Sequence, residues 1–257
     1  MLVEVALDGD VATLTLNRPE ARNALSAELC DALAREVKAL PGEVRAVVLA
    51  GEGKVFCSGA DLAAVSGPAA TAFLPSFERM LETVARCRPV TVAAIHGAAL
   101  GGGFQLATVC DFRVIAEDAA LGIPSASLGI VVNLENVQRL VLLVGIARAK
   151  EILLAGARFS GAESDRYGFA TEIVPASETQ ARARALAERV AALAPLSVQS
   201  TKRAVQAVSD ALADVRAARP EEAAVLDELV ARAYASADLQ EGLRAVAERR
   251  PPRFEGR

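Results

Sequence analysis

Two glycine-containing turns are the segments of this sequence best suited to chemistry. Residues 56–62 read FCSGADL and residues 97–103 read GAALGGG, and each follows a buried-strand pattern and leads into helix-compatible sequence. Glycine lets a ligand approach the main chain closely, and free N–H groups at a helix start carry partial positive charge. Such turns suit an anion or a polarised carbonyl oxygen. A glycine triplet by itself is more often only turn geometry, so each motif alone is a weak signal.

Other catalytic motifs find little support in the same residues. Phe104 and Gln105 follow the glycines where a P-loop needs Lys and Ser or Thr, and no G-x-G-x-x-G run opens the first strand–helix unit. Ser58 lacks the preceding glycine of a G-x-S-x-G elbow. His96 is the only histidine, and its place at the end of a buried strand favours a structural hydrogen bond. The histidine and cysteine spacing predicts no metal site.

The periodicity of the sequence predicts the strands and helices that must position these turns. Ser26 begins a capped amphipathic helix that runs to residue 40. The β-type runs are residues 2–7 and 11–16, joined as a hairpin, followed by 44–50, 90–95 and 111–116. A helix opened by glycines is predicted over residues 101–109, which gives an α/β core. Beyond about residue 135 the Ala-, Arg-, Glu- and Leu-rich sequence predicts a helical last third.

Composition excludes several classes of protein. The chain has 257 residues, 53% apolar and 23% charged, so its core needs no disulfide or metal. A net charge of -4 argues against a general nucleic-acid surface. The four cysteines form no C-x-x-C pair, and the apolar stretches are far shorter than the roughly 20 residues of a membrane span. We therefore expect a reduced, cytoplasmic protein without a membrane span.

Several motifs in order resemble the crotonase (enoyl-CoA hydratase/isomerase) superfamily from end to end. They are Asn17-Arg18-Pro19, Asn23-Ala24-Leu25, the two glycine turns, Cys110-Asp111, Gln138-Arg139-Leu140, Gly145 and the tail 249–254. The resemblance implies an α/β spiral of ββα units over residues 1–195, holding a CoA-thioester site, and a helical trimerisation region over 196–257. It implies a trimer or a pair of trimers, and an acyl-CoA ligand with no cofactor besides the coenzyme A that the ligand carries.

The resemblance also assigns the binding residues. By position, the backbone N–H groups of Ala60 and Gly102 would clasp the thioester oxygen, and removing one such donor typically costs roughly 3–4 kcal/mol in transition-state stabilisation. The loop 17–23 would lie along the CoA moiety. The substrate and CoA contacts carried over are Arg22, Ser58, Ala60, Asp61, Leu62, Phe77, Gly102 and Asn133. Phe77 belongs to an apolar set over residues 73–81 that flanks the acyl pocket in the family, although such stripes are usually core.

The catalytic side chains are where the sequence departs from the family. Its hydratases carry two glutamates, and Gln105 and Ser125 stand at those positions here. An amide is essentially non-basic and a serine hydroxyl is a poor base, so we expect the ordinary hydration mechanism to be strongly impaired. Asn133 stands near the acid of other family isomerases. Glu135 is the nearest carboxylate, but two helical residues turn it about 200° from Asn133, which favours a surface or first-turn role.

Three functions remain open on the sequence alone. The first is a fatty acyl-CoA-binding or delivery protein that keeps the clasp without the acid–base pair, because Gln105, Pro124-Ser125 and the tail look most like actinobacterial acyl-CoA-binding members of the superfamily. The second is an active enoyl-CoA hydratase or isomerase of fatty-acid metabolism that uses Glu135 or a water held by Gln105. The third, a scaffold that binds no CoA, is less attractive because both glycine turns are intact.

Overall fold

Two units make up the chain, which the computed structural model describes over residues 1–65 and 67–256. Met1–Leu121 with Phe159–Ala207 forms the first unit, and Gly122–Arg158 with Val208–Arg257 forms the second. This division differs from the expected regions 1–195 and 196–257. Residues 122–158 group with the C-terminal helices, and residues 196–207 group with the sheet-bearing part.

The elements alternate between strand and helix in the first half and are mainly helical afterwards. In chain order the strands are β1 (Val3–Asp8), β2 (Val11–Leu16), β3 (Ala46–Gly51), β4 (Val90–Ile95), β5 (Ala98–Leu100), β6 (Phe112–Ala116), β7 (Ala120–Gly122), β8 (Arg158–Ser160) and β9 (Glu172–Val174). The α-helices are α1 (Ala27–Ala39), α2 (Gly67–Arg86), α3 (Gly102–Thr108), α4 (Leu134–Leu153), α5 (Thr179–Ala191), α6 (Pro195–Ala213), α7 (Val215–Ala218), α8 (Pro220–Tyr234) and α9 (Ala237–Ala247).

A six-stranded sheet in the order β1-β2-β3-β4-β6-β9 organises the first unit. β1 and β2 pair antiparallel, whereas β2-β3, β3-β4, β4-β6 and β6-β9 are parallel. Every residue of β3 and of β4 is buried, which explains their continuous apolar sequences, since parallel strands are covered on both faces. The predicted hairpin and the predicted buried strands are confirmed.

Helices cover the sheet and continue the core. On one face, Val48, Val92 and Val114 cluster with residues of α5, including Leu186. α1 packs against α2 and against the β1–β2 hairpin, and buries an apolar stripe that includes Leu29. Ser26 caps α1 as predicted, because its side chain accepts a hydrogen bond from the Leu29 N–H.

Short strands are the main departure from the predicted elements. The sequence predicts a direct turn from β4 into α3, but Ala98–Leu100 forms β5, which belongs to a three-stranded sheet of order β5-β7-β8. β8 and β9 likewise interrupt a region predicted to be helical. Each of these strands has three residues, too few to show a β period in the sequence.

The second unit is helical and holds the chain's C-terminal part. α4 contains one non-helical residue, Gly145, with φ 77° and ψ 163°. A short 3₁₀ turn over Ser125–Leu128 packs against α9 so closely that a Cβ on Gly242 would lie 2.3 Å from the Leu128 carbonyl oxygen. No helix within the two described ranges has the length and apolar content required to cross a bilayer.

Candidate functional site

The fold brings the two glycine turns side by side in the first unit. Cys57 pairs with Ala99 in a parallel bridge, in which the Cys57 N–H donates to the Ala98 carbonyl at 3.0 Å. The Leu100 N–H in turn donates to the Cys57 carbonyl at 3.1 Å. The residues that follow each bridge, Ala60 in one turn and Gly102 in the other, are therefore held close together.

The amides of Ala60 and Gly102 form a pair of adjacent donors. An ideal Cβ built on Gly102 lies 3.5 Å from the Ala60 nitrogen. Ala60 sits opposite Leu25 in a second parallel bridge, whose hydrogen bonds use the Gly59 carbonyl and the Asp61 N–H. Gly102 is the first residue of α3, where an N–H has no partner in its own helix. Across residues 1–65 and 67–256, neither amide donates to a backbone carbonyl.

Two glycines make this close approach possible. Gly59 has φ +112°, a conformation that other residues rarely adopt, and a Cβ there would lie 3.0 Å from the Leu100 carbonyl oxygen. A Cβ on Gly103 would lie 2.5 Å from the Cys57 carbonyl oxygen, so α3 rests directly on the backbone of the first turn. The glycines of both motifs are thus required for contact between the turns.

Apolar side chains pack against Gly102 beside the paired amides. The Leu25 Cδ1 and Phe77 Cε2 atoms lie 3.1 and 3.2 Å from the ideal Cβ position of Gly102. Phe77 is buried and stacks on Phe73, with ring centroids 5.6 Å apart. A ligand carbonyl bound by the amides would therefore meet an apolar wall on this side.

Asn23 holds the 17–25 loop against the first glycine turn, a role that the sequence reasoning missed. Its fully buried amide donates to the carbonyls of Glu52 and Val55, both at 2.9 Å, and accepts from the Arg18 N–H at 2.9 Å. Its φ is +54°, a left-handed conformation in which asparagine is enriched. The signal for this role in the sequence was an asparagine, Asn23, shortly after the turn-forming Asn17-Arg18-Pro19 segment.

The other expected CoA contacts of the first unit lie on or beside the first turn. Arg22 is exposed, and its carbonyl accepts from the N–H of the half-buried Ser58 at 3.1 Å. Asp61 accepts from the Ala63 N–H and from Arg18 at 3.2 and 3.3 Å. Leu62 is half-buried. Ser58 and Asp61 therefore help to shape the turn, whereas their contact with CoA stays a prediction.

Gln105 lies one turn into α3, three residues beyond the Gly102 amide. Its side chain is half-buried, and its Nε2 lies 3.5 Å from the Gly101 carbonyl oxygen, a long hydrogen bond back to the start of the same helix. The amide can donate to or accept from a bound water, but it cannot take up a proton at neutral pH. A carboxylate at this position would act as a base, and Gln105 does not.

The remaining predicted residues lie in the second unit. Ser125 is the first residue of the 3₁₀ turn and is half-buried. Asn133 caps α4, where its Oδ1 accepts from the Asn136 N–H at 3.0 Å. The structure therefore gives Asn133 a helix-capping role, and the proposed roles of Ser125 and Asn133 toward a ligand stay predictions.

Glu135 in the first turn of α4 is engaged in an ion pair. Its Oε1 lies 2.5 Å from the Arg216 Nε, and Arg216 also binds both carboxylate oxygens of Asp227 at 2.7 and 2.8 Å. Burial acts to raise the pKa of Glu135, but the hydrogen bond and charge of Arg216 outweigh it and hold that pKa below its ordinary value. Glu135 therefore stays ionised and paired, which favours the surface role over catalysis.

His96 and Cys57 each make a hydrogen bond to a backbone carbonyl. His96 Nε2 lies 3.0 Å from the Gly53 carbonyl oxygen, which confirms the expected structural hydrogen bond. The buried Cys57 thiol lies 3.1 Å from the Asn23 carbonyl oxygen, and burial raises its pKa to about 12, so it is not a thiolate at neutral pH. Within residues 1–65 and 67–256, no three His, Cys, Asp or Glu side chains are grouped to hold a metal ion.

Comparison with known proteins identifies the family. Residues 7–257 match the family model described as enoyl-CoA hydratase/isomerase. Over 248 residues, the chain is 38% identical to a probable enoyl-CoA hydratase, echA6, of Mycobacterium tuberculosis, covering 96% of each chain. It is 35% identical over 266 residues to the (E)-benzylidenesuccinyl-CoA hydratase of Thauera aromatica, covering 100% of both.

A solved structure supports the same assignment at the level of the fold. The enoyl-CoA hydratase/isomerase from Pseudoalteromonas atlantica T6c superposes with a TM-score of 0.88 at 31% identity, over 99% of this chain and 100% of that one. The predicted α/β crotonase fold with a helical C-terminal region is thereby confirmed. This chain belongs to the enoyl-CoA hydratase/isomerase family of the crotonase superfamily.

Proposed function

We propose that this protein binds fatty acyl-CoA thioesters through the backbone amides of Ala60 and Gly102 and has weak or no hydratase activity. The observation that carries the proposal is the adjacency of these two amides, neither of which donates to a backbone carbonyl in the described chain. Two converging N–H groups stabilise the partial negative charge of a thioester oxygen. The apolar wall of Leu25 and Phe77 suits a fatty rather than a polar acyl group.

The side chains around the clasp, by which we mean the paired backbone amides of Ala60 and Gly102, support binding rather than hydration. Adding water to an enoyl thioester needs a group that takes a proton from the water and a group that delivers one to carbon. Gln105 offers an amide, and Ser125 offers a hydroxyl in the other unit. Glu135 is held by Arg216 with a lowered pKa, which makes it a poor proton acceptor.

The test compares two variants at Gly102 by calorimetric titration with octanoyl-CoA. Gly102→Ala keeps the N–H, whereas Gly102→Pro removes it at the first helical position, where proline is tolerated. We expect wild type to bind, and the proline variant to bind about tenfold more weakly than the alanine variant because it lacks one hydrogen bond to the thioester. Equal affinities of the two variants would show that this amide does not clasp the ligand.

Turnover distinguishes the binding protein from the alternative, an active hydratase or isomerase that uses Glu135 or a water held by Gln105. With crotonyl-CoA as substrate, we expect the enone absorbance to persist at a protein concentration that saturates the ligand. Rapid loss of that absorbance would establish the alternative, and its abolition by Glu135→Gln would identify Glu135, rather than a water held by Gln105, as the group responsible. Titration without heat for acyl chains of every length would favour a scaffold that binds no CoA.

We also propose that the protein is a homo-oligomer, a trimer or a pair of trimers as in its family. α6 supports this, because Val205, Val208 and Leu212 are 64, 60 and 70% exposed and recur at a helical spacing of three to four residues. An exposed apolar stripe of this kind marks an interaction surface. A second copy of the chain would cover it.

A further inference from the structure

A polar clamp joins α1 to α2 beside the proposed thioester site. Asp31 on α1 accepts from the Ser76 hydroxyl at 3.2 Å and from Arg79 Nη2 at 2.7 Å, and that same Nη2 lies 3.0 Å from the Ser76 oxygen. Ser76 is buried, whereas Asp31 and Arg79 are about half exposed. The clamp thus connects a partly exposed ion pair with a buried hydroxyl at the contact between the two helices.

Phe77, the residue after Ser76, forms the wall of the proposed site. Its Cε2 atom lies 3.2 Å from the ideal Cβ position of Gly102, whose amide is one half of the clasp. α1 reaches the same point, because Leu25, just before the Ser26 cap, places its Cδ1 atom 3.1 Å from that position. The spacing between α1 and α2 therefore sets how closely the two apolar groups approach the clasp.

The backbone hydrogen bonding of α2 is weakened next to this contact. Pro75 lies inside the helix and has no N–H, so one hydrogen bond of the helix is missing immediately before Ser76. Asp31 holds the next residue to α1 from outside the helix. The hydrogen bond from Arg79 lowers the pKa of Asp31, so the carboxylate that makes the clamp is ionised at neutral pH.

We infer that Asp31 is a positioning residue that sets the acyl specificity of the site by holding Phe77 against Gly102. The inference rests on the proposed function, since it concerns the same thioester clasp. A thioester oxygen bound to the Gly102 amide would bring the ligand's acyl group close to Phe77, whose ring packs against Gly102. In that position the ring would disfavour acyl groups with a branch at the α-carbon, so the ligand class that we infer is straight-chain acyl-CoA.

The test measures discrimination between two isomeric ligands, n-butanoyl-CoA and isobutanoyl-CoA, which differ only in branching at the α-carbon. We expect wild type to prefer the straight chain, and Asp31→Ala to reduce the ratio of the two dissociation constants by about threefold or more, within the range that one methyl group contributes to discrimination. Asp31→Glu keeps the carboxylate and should restore the preference. A purely structural role would lower the melting temperature and leave the ratio unchanged.

A matched control and a ligand-free measurement make the outcome unambiguous. Glu36→Gln removes a carboxylate that pairs with its neighbour Arg35 on α1, and it should leave the ratio unchanged. Crystal structures of ligand-free wild type and Asp31→Ala should show the Phe77 ring displaced from Gly102 in the variant. An unmoved ring, or an unchanged ratio, would overturn the inference while acyl-CoA binding stands. Absence of acyl-CoA binding by wild type would refute the proposed function and this inference together.

Discussion

Gln105 and Ser125 are the two residues on which the proposed lack of hydratase activity depends. Both side chains are uncharged at neutral pH, and neither accepts a proton readily. The hydrogen bond from Gln105 back to the Gly101 carbonyl is long, at 3.5 Å, so the amide is weakly held and available to a ligand or a water. Their chemistry is consistent with a site that polarises a thioester without completing an addition.

Restoring the two acids should therefore create activity. We expect Gln105→Glu combined with Ser125→Glu to hydrate crotonyl-CoA at least about tenfold faster than wild type, since positioned acid–base groups typically contribute 10²–10⁴-fold. Loss of the enone absorbance measures the rate. The double variant Gln105→Ala with Ser125→Ala serves as the control and should gain nothing. The contrary result is that the variant with both glutamates binds octanoyl-CoA as wild type does and still hydrates crotonyl-CoA no faster. In that case, proton transfer at residues 105 and 125 does not limit the hydration rate of the wild type.

At the scale of elements, the site depends on how α3 rests on the first glycine turn. The contact is between main chains, because Gly103 of α3 lies against the carbonyl of Cys57. The same turn is braced from the other side by the buried Asn23, which holds the carbonyls of Glu52 and Val55. The clasp geometry therefore depends on backbone packing rather than on catalytic side chains.

A methyl group at Gly103 should disturb this packing. The Cβ of Gly103→Ala would lie 2.5 Å from the Cys57 carbonyl oxygen and 2.7 Å from its Cβ, so the backbone must shift. We expect a loss of about 1–3 kcal/mol in the free energy of unfolding, the usual cost of overpacking, together with weaker acyl-CoA binding. Urea unfolding measures the first effect and calorimetry the second.

Gly42→Ala is the matched control for that change, because no atom lies within 4 Å of its ideal Cβ position. It should alter stability by less than about 0.5 kcal/mol, as is usual for surface substitutions. If the two alanine variants unfold at the same urea concentration, α3 can move away from the turn without cost, and the contact does not fix the position of the helix.

At the scale of the whole molecule, the apolar stripe on α6 should control assembly. Replacing Val208 and Leu212 together by Glu places two charges on the proposed interface, where burying them unpaired is costly. We expect light scattering to show monomers in place of the wild-type oligomer. Arg203→Gln, on another side of the same helix, is the control and should keep the wild-type mass. A wild-type mass for the double glutamate variant would mean that α6 is not part of the interface.

Local sequence patterns predicted much of the architecture, for a physical reason. β3 and β4 are apolar because both faces are covered, and α1 shows its cap and its apolar stripe in consecutive residues. Features confined to three residues, such as β5, β8 and β9, carry no period and were missed. Neighbours along the chain thus determine long elements, whereas short strands depend on the partners that they find in the fold.

The sequence by itself determined the family-specific turns, the Ser26 helix cap, the buried strands and the absence of glutamate at residues 105 and 125, because these are properties of residue type and local spacing. Only the tertiary structure decided which groups meet. It placed the Ala60 amide beside Gly102, which the sequence implied only through the family resemblance, set Phe77 against the same point, and paired Glu135 with Arg216 across 81 residues of chain. Contacts between residues that are far apart in the sequence depend on how the helices and strands pack, and local sequence patterns do not determine that packing.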